Sequence, residues 1–481
     1  MASLLSISSQ SGSIEPAQIQ ARPVPLQTPQ GSSSYRTAGP RTVPVDTLTR
    51  LGLTGVVLLL FGMSGGMLWL AGYNYDGLQG SPLSKIHPST YLLVLVFVWR
   101  SCVFGNPVGY VVHVADRRPA SALMAVIAAV LLVVVVLRQR PGMAGMIDTF
   151  VTPALLVLML GEDDEKTFAR LQVVVHTVMT VNALLALFEF ATKHLVFPYR
   201  FDGVVFVNDP RSTALQGHPL SNATVTAIYV LALLSGSRSL KTPLRLGLVG
   251  LQCAALVAFG GRSAMVVTIL LGGAYMFIRG IAQLRTGRVN LLAAALVVML
   301  CALLPLAVAL AGYYGFFDAL LTRFVSDNGS ANSRIQMFDL FNQLELRDII
   351  VGPDIDLLES LRRISGLEQG VENPIIRMTL YQGAFFTLLI FFGFALFMHE
   401  VARRCHPGIW LPMLGWLILI NTSESLASKT ALMTKFVVIA LALYRPARSH
   451  GNAARRTTHP QAPPLAGSPA SRQTPAARQP H

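Results

Sequence analysis

From Leu51 to Tyr444 the chain alternates between long apolar runs and short polar connections. Runs such as Val133–Val136 are continuous, without the in-out alternation of a barrel strand, so they predict helices. A helix needs roughly 20 apolar residues to cross the hydrocarbon core of a bilayer. On that measure the pattern predicts spans near 51–73, 90–113, 121–137, 146–161, 170–192, 220–236, 243–259, 263–279, 290–312, 374–398, 408–421 and 430–444. The expected fold class is all-α, a polytopic integral membrane protein of about 12 transmembrane helices.

One connection departs from the rest. Residues 313–371, between the ninth and tenth spans, form a loop far longer than the others and rich in acid and arginine. Long connections of this kind are usually functional. Within it Ile335, Phe338, Phe341 and Leu344 recur at three-residue spacing, which predicts an amphipathic helix over Ser333–Leu346 suited to a membrane surface. Asp354–Ile364 repeats the idea, with Ile355, Leu358 and Leu361 set against Arg362 and Arg363. The intervening Val351-Gly-Pro-Asp354 reads as a turn that stops the first helix.

Composition sharpens this picture. A chain of 481 residues that is 52% hydrophobic, 13% charged and of mean hydropathy +0.53 is no ordinary soluble domain. Its net charge of +14 is concentrated in the tails, 1–50 and 445–481, which are rich in Ser, Pro, Ala and Gln. Such segments predict disorder near an anionic membrane surface rather than nucleic-acid binding. The four cysteines lie scattered through apolar segments without C-x-x-C spacing, so neither a disulfide framework nor a zinc site is expected. The polar first forty-odd residues lack the short apolar core of a signal peptide, and 51–73 reads as a retained first span.

An even number of spans puts both tails on one side. That side collects Arg117/Arg118, Lys166/Arg170, Arg238/Lys241/Arg245, Arg279/Arg285/Arg288 and Arg403/Arg404, so it is read as cytoplasmic, with the long loop outside. Arg138 and Arg140 fall on the outer side against the rule.

Three outer-side arginines are candidates for chemistry. Arg211 opens Arg-Ser-Thr-Ala-Leu-Gln-Gly-His-Pro219, Arg262 sits in the tight turn Phe259-Gly-Gly-Arg-Ser263, and Arg334 follows Asp327-Asn-Gly-Ser-Ala-Asn-Ser333. A guanidinium is always charged and grips phosphate oxygens in pairs, so converging arginines suit a pyrophosphate. Each can equally anchor a helix end at the interface. Glu372 lies eleven residues before Gly383, which places both on one face if the helix is continuous. Glu372 then serves as a general base at the outer end of span ten or simply as a charge favoured by the helix dipole. The glycine leaves room for a close approach. His218 can donate to a phosphate, act as a base or be structural, and Glu424 can line the same mouth. His176, Glu189 and Lys435 lie in or near spans, where a charge marks a pathway or a structural pair. The chain has no H-E-x-x-H, Walker loop, G-x-S-x-G or metal-binding carboxylate cluster.

Taken in order, Arg211 with Gly217-His-Pro219, Gly261-Arg262-Ser263, Ser333-Arg334 followed by an aromatic residue, and a late motif at span ten resemble the superfamily of O-antigen ligases and Wzy-type polysaccharide polymerases. The resemblance covers about 51–444 and is similar in general character to VpsF-type exopolysaccharide biosynthesis proteins. It implies a cofactor-free, metal-independent transferase of the bacterial inner membrane acting on undecaprenyl-pyrophosphate-linked glycans. A chain-length regulator and export machinery are the implied partners. Arg211, Arg262 and Arg334 would hold the donor pyrophosphate, and Glu372 would face the acceptor hydroxyl. The ligases carry a histidine where this chain has Glu372. That departure favours a polymerase over a ligase that moves glycan to lipid A core. A flippase for lipid-linked sugars is the non-enzyme alternative. It predicts two related halves and charges at mid-membrane.

Overall fold

The computed structural model describes residues 45–77, 80–161, 164–201, 204–206, 211–236, 240–285, 336–367, 373–422 and 429–445, with a few positions between 305 and 317. Arg334, Glu372, Glu424, nearly all of both tails and most of the expected span at 290–312 lie outside them.

The described chain is helical. In order it forms α1 (Thr47–Gly62), α2 (Gly65–Leu70), α3 (Pro88–Val103), α4 (Pro107–Arg117), α5 (Pro119–Leu137), α6 (Met143–Leu160), α7 (Glu165–Thr192) and α8 (Pro219–Ser235). These are followed by α9 (Thr242–Phe259), α10 (Arg262–Arg285), α11 (Leu346–Val351), α12 (Ile355–Ile364), α13 (Pro374–Gln382), α14 (Ala384–Arg403), α15 (Trp410–Thr422) and α16 (Leu432–Tyr444). A two-residue antiparallel ladder, β1 (Arg200–Phe201) with β2 (Val204–Val205), is the only sheet among the described residues. Among the described residues, six helices are long and apolar enough to cross a membrane, or seven if the bent pair α3–α4 is one span. The protein is an all-α chain of the membrane type.

Three expected spans are broken. The run 51–73 divides at Met63, and Ser64 caps α2 by accepting from the Met67 N–H at 3.1 Å. The run 90–113 bends by 111° between α3 and α4, where Gly105 takes φ +81° and Asn106 caps the second piece. Span ten divides at Gly383, whose φ of +92° ends α13 and starts α14. The described helix before Gly383 runs from Pro374 to Gln382, and Glu372 lies outside the described residues. A Cβ at Gly383 would stand 2.5 Å from the Ile350 carbonyl oxygen, so the close approach there is made by the long loop's own backbone. A fourth irregularity is internal to α6, where Met146–Val151 forms a π-helical segment.

Burial sorts the helices. Every residue of α16 and most of α8 are buried, so these two form the bundle's axis. One face of α5, with Val126, Val130, Val133 and Val136, stays exposed, as does Ile269, Leu270 and Phe277 of α10. Such apolar exposure suits hydrocarbon rather than water.

The described part of the long loop, 336–367, packs with the start of span ten. Met337, Leu340, Leu358, Leu367, Ile376 and Leu380 make a small core of their own. α12 forms as the pattern predicts, with Asp354 accepting from the Asp356 and Leu357 N–H groups. Of the helix expected over Ser333–Leu346, the described part is helical at 336–339, then passes through a 3-10 turn at Phe341–Gln343, and α11 begins at Leu346. Arg138 and Arg140 explain their exceptional placement here. Arg140 donates to the carbonyls of Tyr381 (2.6 Å), Gly352 (2.9 Å) and Pro353 (3.2 Å), and Arg138 to that of Val351 (2.9 Å). They clamp the loop to the end of α5.

Candidate functional site

Side-chain contacts separate the two ends of the bundle. At one end, which we call the tail face, Arg50 pairs with Asp164 at 2.8 Å and Arg100 lies 3.6 Å from Asp46. Glu400 there accepts from the Ala120 N–H (2.7 Å) and the Ser121 hydroxyl (2.9 Å) at the start of α5. The opposite end, the loop face, gathers the α1–α2 break, the segment between α7 and α8, the α9–α10 turn and the clamped long loop.

The segment from Arg211 to His218 is set from below by one buried carboxylate. Glu189, near the end of α7, accepts from the Ser212 hydroxyl, from the N–H groups of Thr213 and Ala214 (both 2.9 Å) and from the Val196 N–H (2.9 Å). A carboxylate so surrounded fixes three consecutive residues at once. It also stabilises Ala214 at φ +35°, a conformation that side chains rarely adopt. Glu189 is thus a shaper of this loop, the structural side of the two readings its sequence position allowed.

Arg211 and Arg262 meet at the α9–α10 turn. Gly260 has φ +65°, and a Cβ there would lie 3.2 Å from Cδ of Arg211. A Cβ at Gly261 would come within 2.4 Å of the Ala223 Cβ on α8. Both glycines are required, one for its backbone and for the arginine stem above it, the other for helix contact. The Ser212 N–H adds a bond to the Ala258 carbonyl at 3.4 Å. The arginine of one loop is thereby laid over the turn that carries the other. Arg262 also heads an apolar groove of about 410 Å³ lined by Ser263, Val266, Val267, Leu270, Leu271 and Ile418.

His218 forms a helix cap, which matches the structural one of the readings its position allowed. Its Nδ1 accepts from the N–H groups of Leu220 (3.2 Å) and Ser221 (3.4 Å), capping α8. A neutral ring then carries its proton on Nε2, which lies 3.2 Å from the Tyr199 hydroxyl. Both ring nitrogens are thus hydrogen-bonded within the protein. The same device recurs. His87 accepts from the Ser89 N–H before Pro88, and His406 from the Gly408 N–H before Pro407. Three His-Pro pairs at three helix starts make the dipeptide a capping unit, and its recurrence was visible in the sequence.

Beneath the loop lies a polar layer of which the sequence singled out Lys435 alone. Gln216 donates to the Phe61 carbonyl at 3.0 Å and accepts from the buried ammonium of Lys435 on α16. Asp148, on the π-helical segment, accepts from the Thr90 hydroxyl (2.8 Å), the His87 N–H (3.0 Å) and the Tyr75 hydroxyl (3.1 Å). π-segments of this kind are frequent at functional sites. Lys429 donates to the Tyr75 carbonyl and lies 3.7 Å from that ring's centre. His87, at the mouth of α3, joins the layer to the α1 break through the Met63 carbonyl at 3.1 Å. Burial pushes its imidazole down to about 4, the bond to Met63 works against that fall, and Lys435 and Lys429 add to it. A lone aspartate in Met146-Ile-Asp-Thr-Phe150 was a further available sequence signal for this layer.

Of the six site residues expected from sequence, Arg211, Arg262 and His218 are brought to one face, while Arg334, Glu372 and Glu424 lie outside the described residues. No protein-family model, no curated protein and no solved structure matches this chain.

Proposed function

We propose that the chain is a membrane glycosyltransferase that joins undecaprenyl-pyrophosphate-linked oligosaccharide repeats into exopolysaccharide or O-antigen on the outer side of a bacterial inner membrane. The observation that carries this reading is the placement of Arg211 over the turn that presents Arg262, with an apolar groove leading away from Arg262. A lipid-linked pyrophosphate needs that pairing of a cationic head site and a greasy path below it. The resemblance stated from the sequence supplies the sugar chemistry.

The reaction needs little covalent machinery. The acceptor hydroxyl attacks the anomeric carbon, the bond from that carbon to pyrophosphate breaks, and the hydroxyl proton passes to the base. Fixed guanidinium groups offset charge growing on the departing phosphate, worth on the order of 3 kcal/mol for a well-placed donor. With His218 committed to its cap, Glu372 is the proposed base, and Arg334 and Glu424 are the proposed further contacts. The span count belongs to the same reading. The six long helices, the bent pair and four shorter apolar helices supply eleven of the expected spans, and 290–312 the last. Both termini are then cytoplasmic.

The test is transfer by the purified protein supplied with a lipid-linked repeat, in EDTA. Arg262→Lys keeps the charge but loses the fork, so polymer yield falls sharply. Glu372→Gln lowers it by about 10²–10⁴-fold. Full activity of Arg262→Lys sinks the pyrophosphate role. Product found only on lipid A core identifies a ligase, and translocation without new glycosidic bonds identifies a flippase.

A further inference from the structure

Below the Arg211–His218 loop, a stripe of polar side chains, completely buried except for the half-buried His176, descends between α7, α8 and α9. Asn222, Thr226 and Tyr229 follow one another at helical spacing on α8 and share one face. On α7 the corresponding rungs are Asn182, the Met179 carbonyl and His176, and α9, which packs on both helices, contributes Gln252. At the top, Asn182 Oδ1 accepts from the Leu215 N–H at 3.0 Å, and Asn222 Nδ2 donates to the carbonyls of Thr213 and His218. In the middle, Gln252 Nε2 donates to the Met179 carbonyl at 2.9 Å. At the bottom, His176 Nδ1 and the Tyr229 hydroxyl are 2.6 Å apart. From Asn222 to Tyr229 the stripe runs about 10 Å into the bundle.

Each of these groups has a hydrogen-bonding atom left over. Asn182 Nδ2, Asn222 Oδ1, Thr226 Oγ1, Gln252 Oε1 and His176 Nε2 are buried and find no hydrogen-bond partner among the described residues. Turning the amides over does not help. Asn182 must face an N–H with its oxygen, whereas Asn222 and Gln252 must face carbonyls with their nitrogens, so the remaining atoms are fixed as one donor and two acceptors. Five such orphans along one track cost too much to leave unmade in an apolar surround. Buried water typically satisfies groups of this kind, about three bonds to each molecule.

We infer that this track binds a file of ordered water, which links the loop beneath Arg211 to the buried Nε2 of His176 on α7. The ligand is water itself, held by Asn182, Asn222, Thr226 and Gln252, and the file forms a hydrogen-bonded connection from the loop face to His176.

Radiolytic footprinting tests this on the full-length protein in lipid nanodiscs. A brief X-ray pulse generates hydroxyl radicals from water, which oxidise side chains touching it, buried or not. Met179 and Tyr229 are fully buried, as is Met124, which packs against Ile127 and Gly393. Oxidation of Met179 and Tyr229 several-fold above Met124 is expected, and the double variant Thr226→Val, Gln252→Met should bring Tyr229 down to the Met124 level. Thr226→Val alone gives a second reading. If Thr226 holds water, its loss lowers the melting temperature by a few degrees. If the hydroxyl is merely unsatisfied, an isosteric valine leaves stability unchanged or raises it. Labelling of Met179 and Tyr229 no greater than that of Met124 overturns the proposal, whatever the variants do.

Discussion

The two ends of the bundle are held by different bonds. On the tail face two ion pairs join helices, Arg50 with Asp164 and Arg100 with Asp46, beside Glu400, which accepts from Ala120 and Ser121 at the start of α5. On the loop face several charged and polar side chains bond to backbone groups of the connecting segments. Glu189 takes N–H groups of residues 196, 213 and 214, Arg140 takes three carbonyls, Gln216 takes the Phe61 carbonyl and Asp148 the His87 N–H. An ion pair fixes the distance between two helices. A side chain bonded to several backbone groups fixes the path of a loop. The loop face is therefore the end at which chain geometry, rather than helix spacing alone, is specified, as a site for a shaped substrate requires.

Substitutions should break the two ends unequally. Glu189→Gln has the largest expected effect, on the order of 3–5 kcal/mol of thermal stability, because an amide cannot accept all of those N–H groups and leaves buried donors unmade. Transfer should fail with it although Arg211 is intact. Retention of both in detergent melting and polymer assays would show that the loop holds itself. Arg140→Met removes three charge-assisted bonds, about 2–3 kcal/mol. Its readout is local, since a protease added from the loop side should cut within 346–364 faster while the bundle melts nearly as before.

His87 gives a prediction with a pH sign. Its folded imidazole is depressed to about 4 from the ordinary 6.5, so the unfolded chain binds the proton more readily. Stability is full above the unfolded value and falls as pH drops through the window down to about 4. The loss between about pH 8 and pH 5 amounts to about 2 kcal/mol. His87→Gln should flatten that slope, and an unchanged slope would assign it to another group. The smallest effect belongs to the tail face. Arg50→Met should cost about 0.2–1 kcal/mol, as partly exposed pairs do. A cost equal to that of Arg140→Met would erase the distinction between the ends.

Much of this was legible in the sequence because hydropathy reports removal from water. It located the apolar helices, the helix at Ile355–Ile364 and the turn at Val351–Asp354. Charge in tight turns pointed to Arg211 and Arg262. Hydropathy is blind to direction, however, so a straight span and one broken at Met63, Gly105 or Gly383 look alike. The break at Gly383 depends on backbone from residues 350–352, more than thirty positions away. Arg138 and Arg140 looked wrong because a rule about membrane sidedness counts charge without asking what it binds. His218 looked chemical because its neighbours were read alone, whereas comparison with His87-Pro and His406-Pro reveals the cap.

The brevity of the axial helix has a consequence for the membrane itself. α16 has 13 residues and α7 has 28, so by helical rise they measure about 20 Å and about 42 Å. A hydrocarbon core is about 30 Å thick. Being wrapped entirely by protein, α16 has no need to match that thickness, so the bilayer constrains the length of the outer helices and not of this one. The Lys435 ammonium near its start is shielded by protein, and the low dielectric around it strengthens the bond it makes to Gln216 beneath the Arg211–His218 loop.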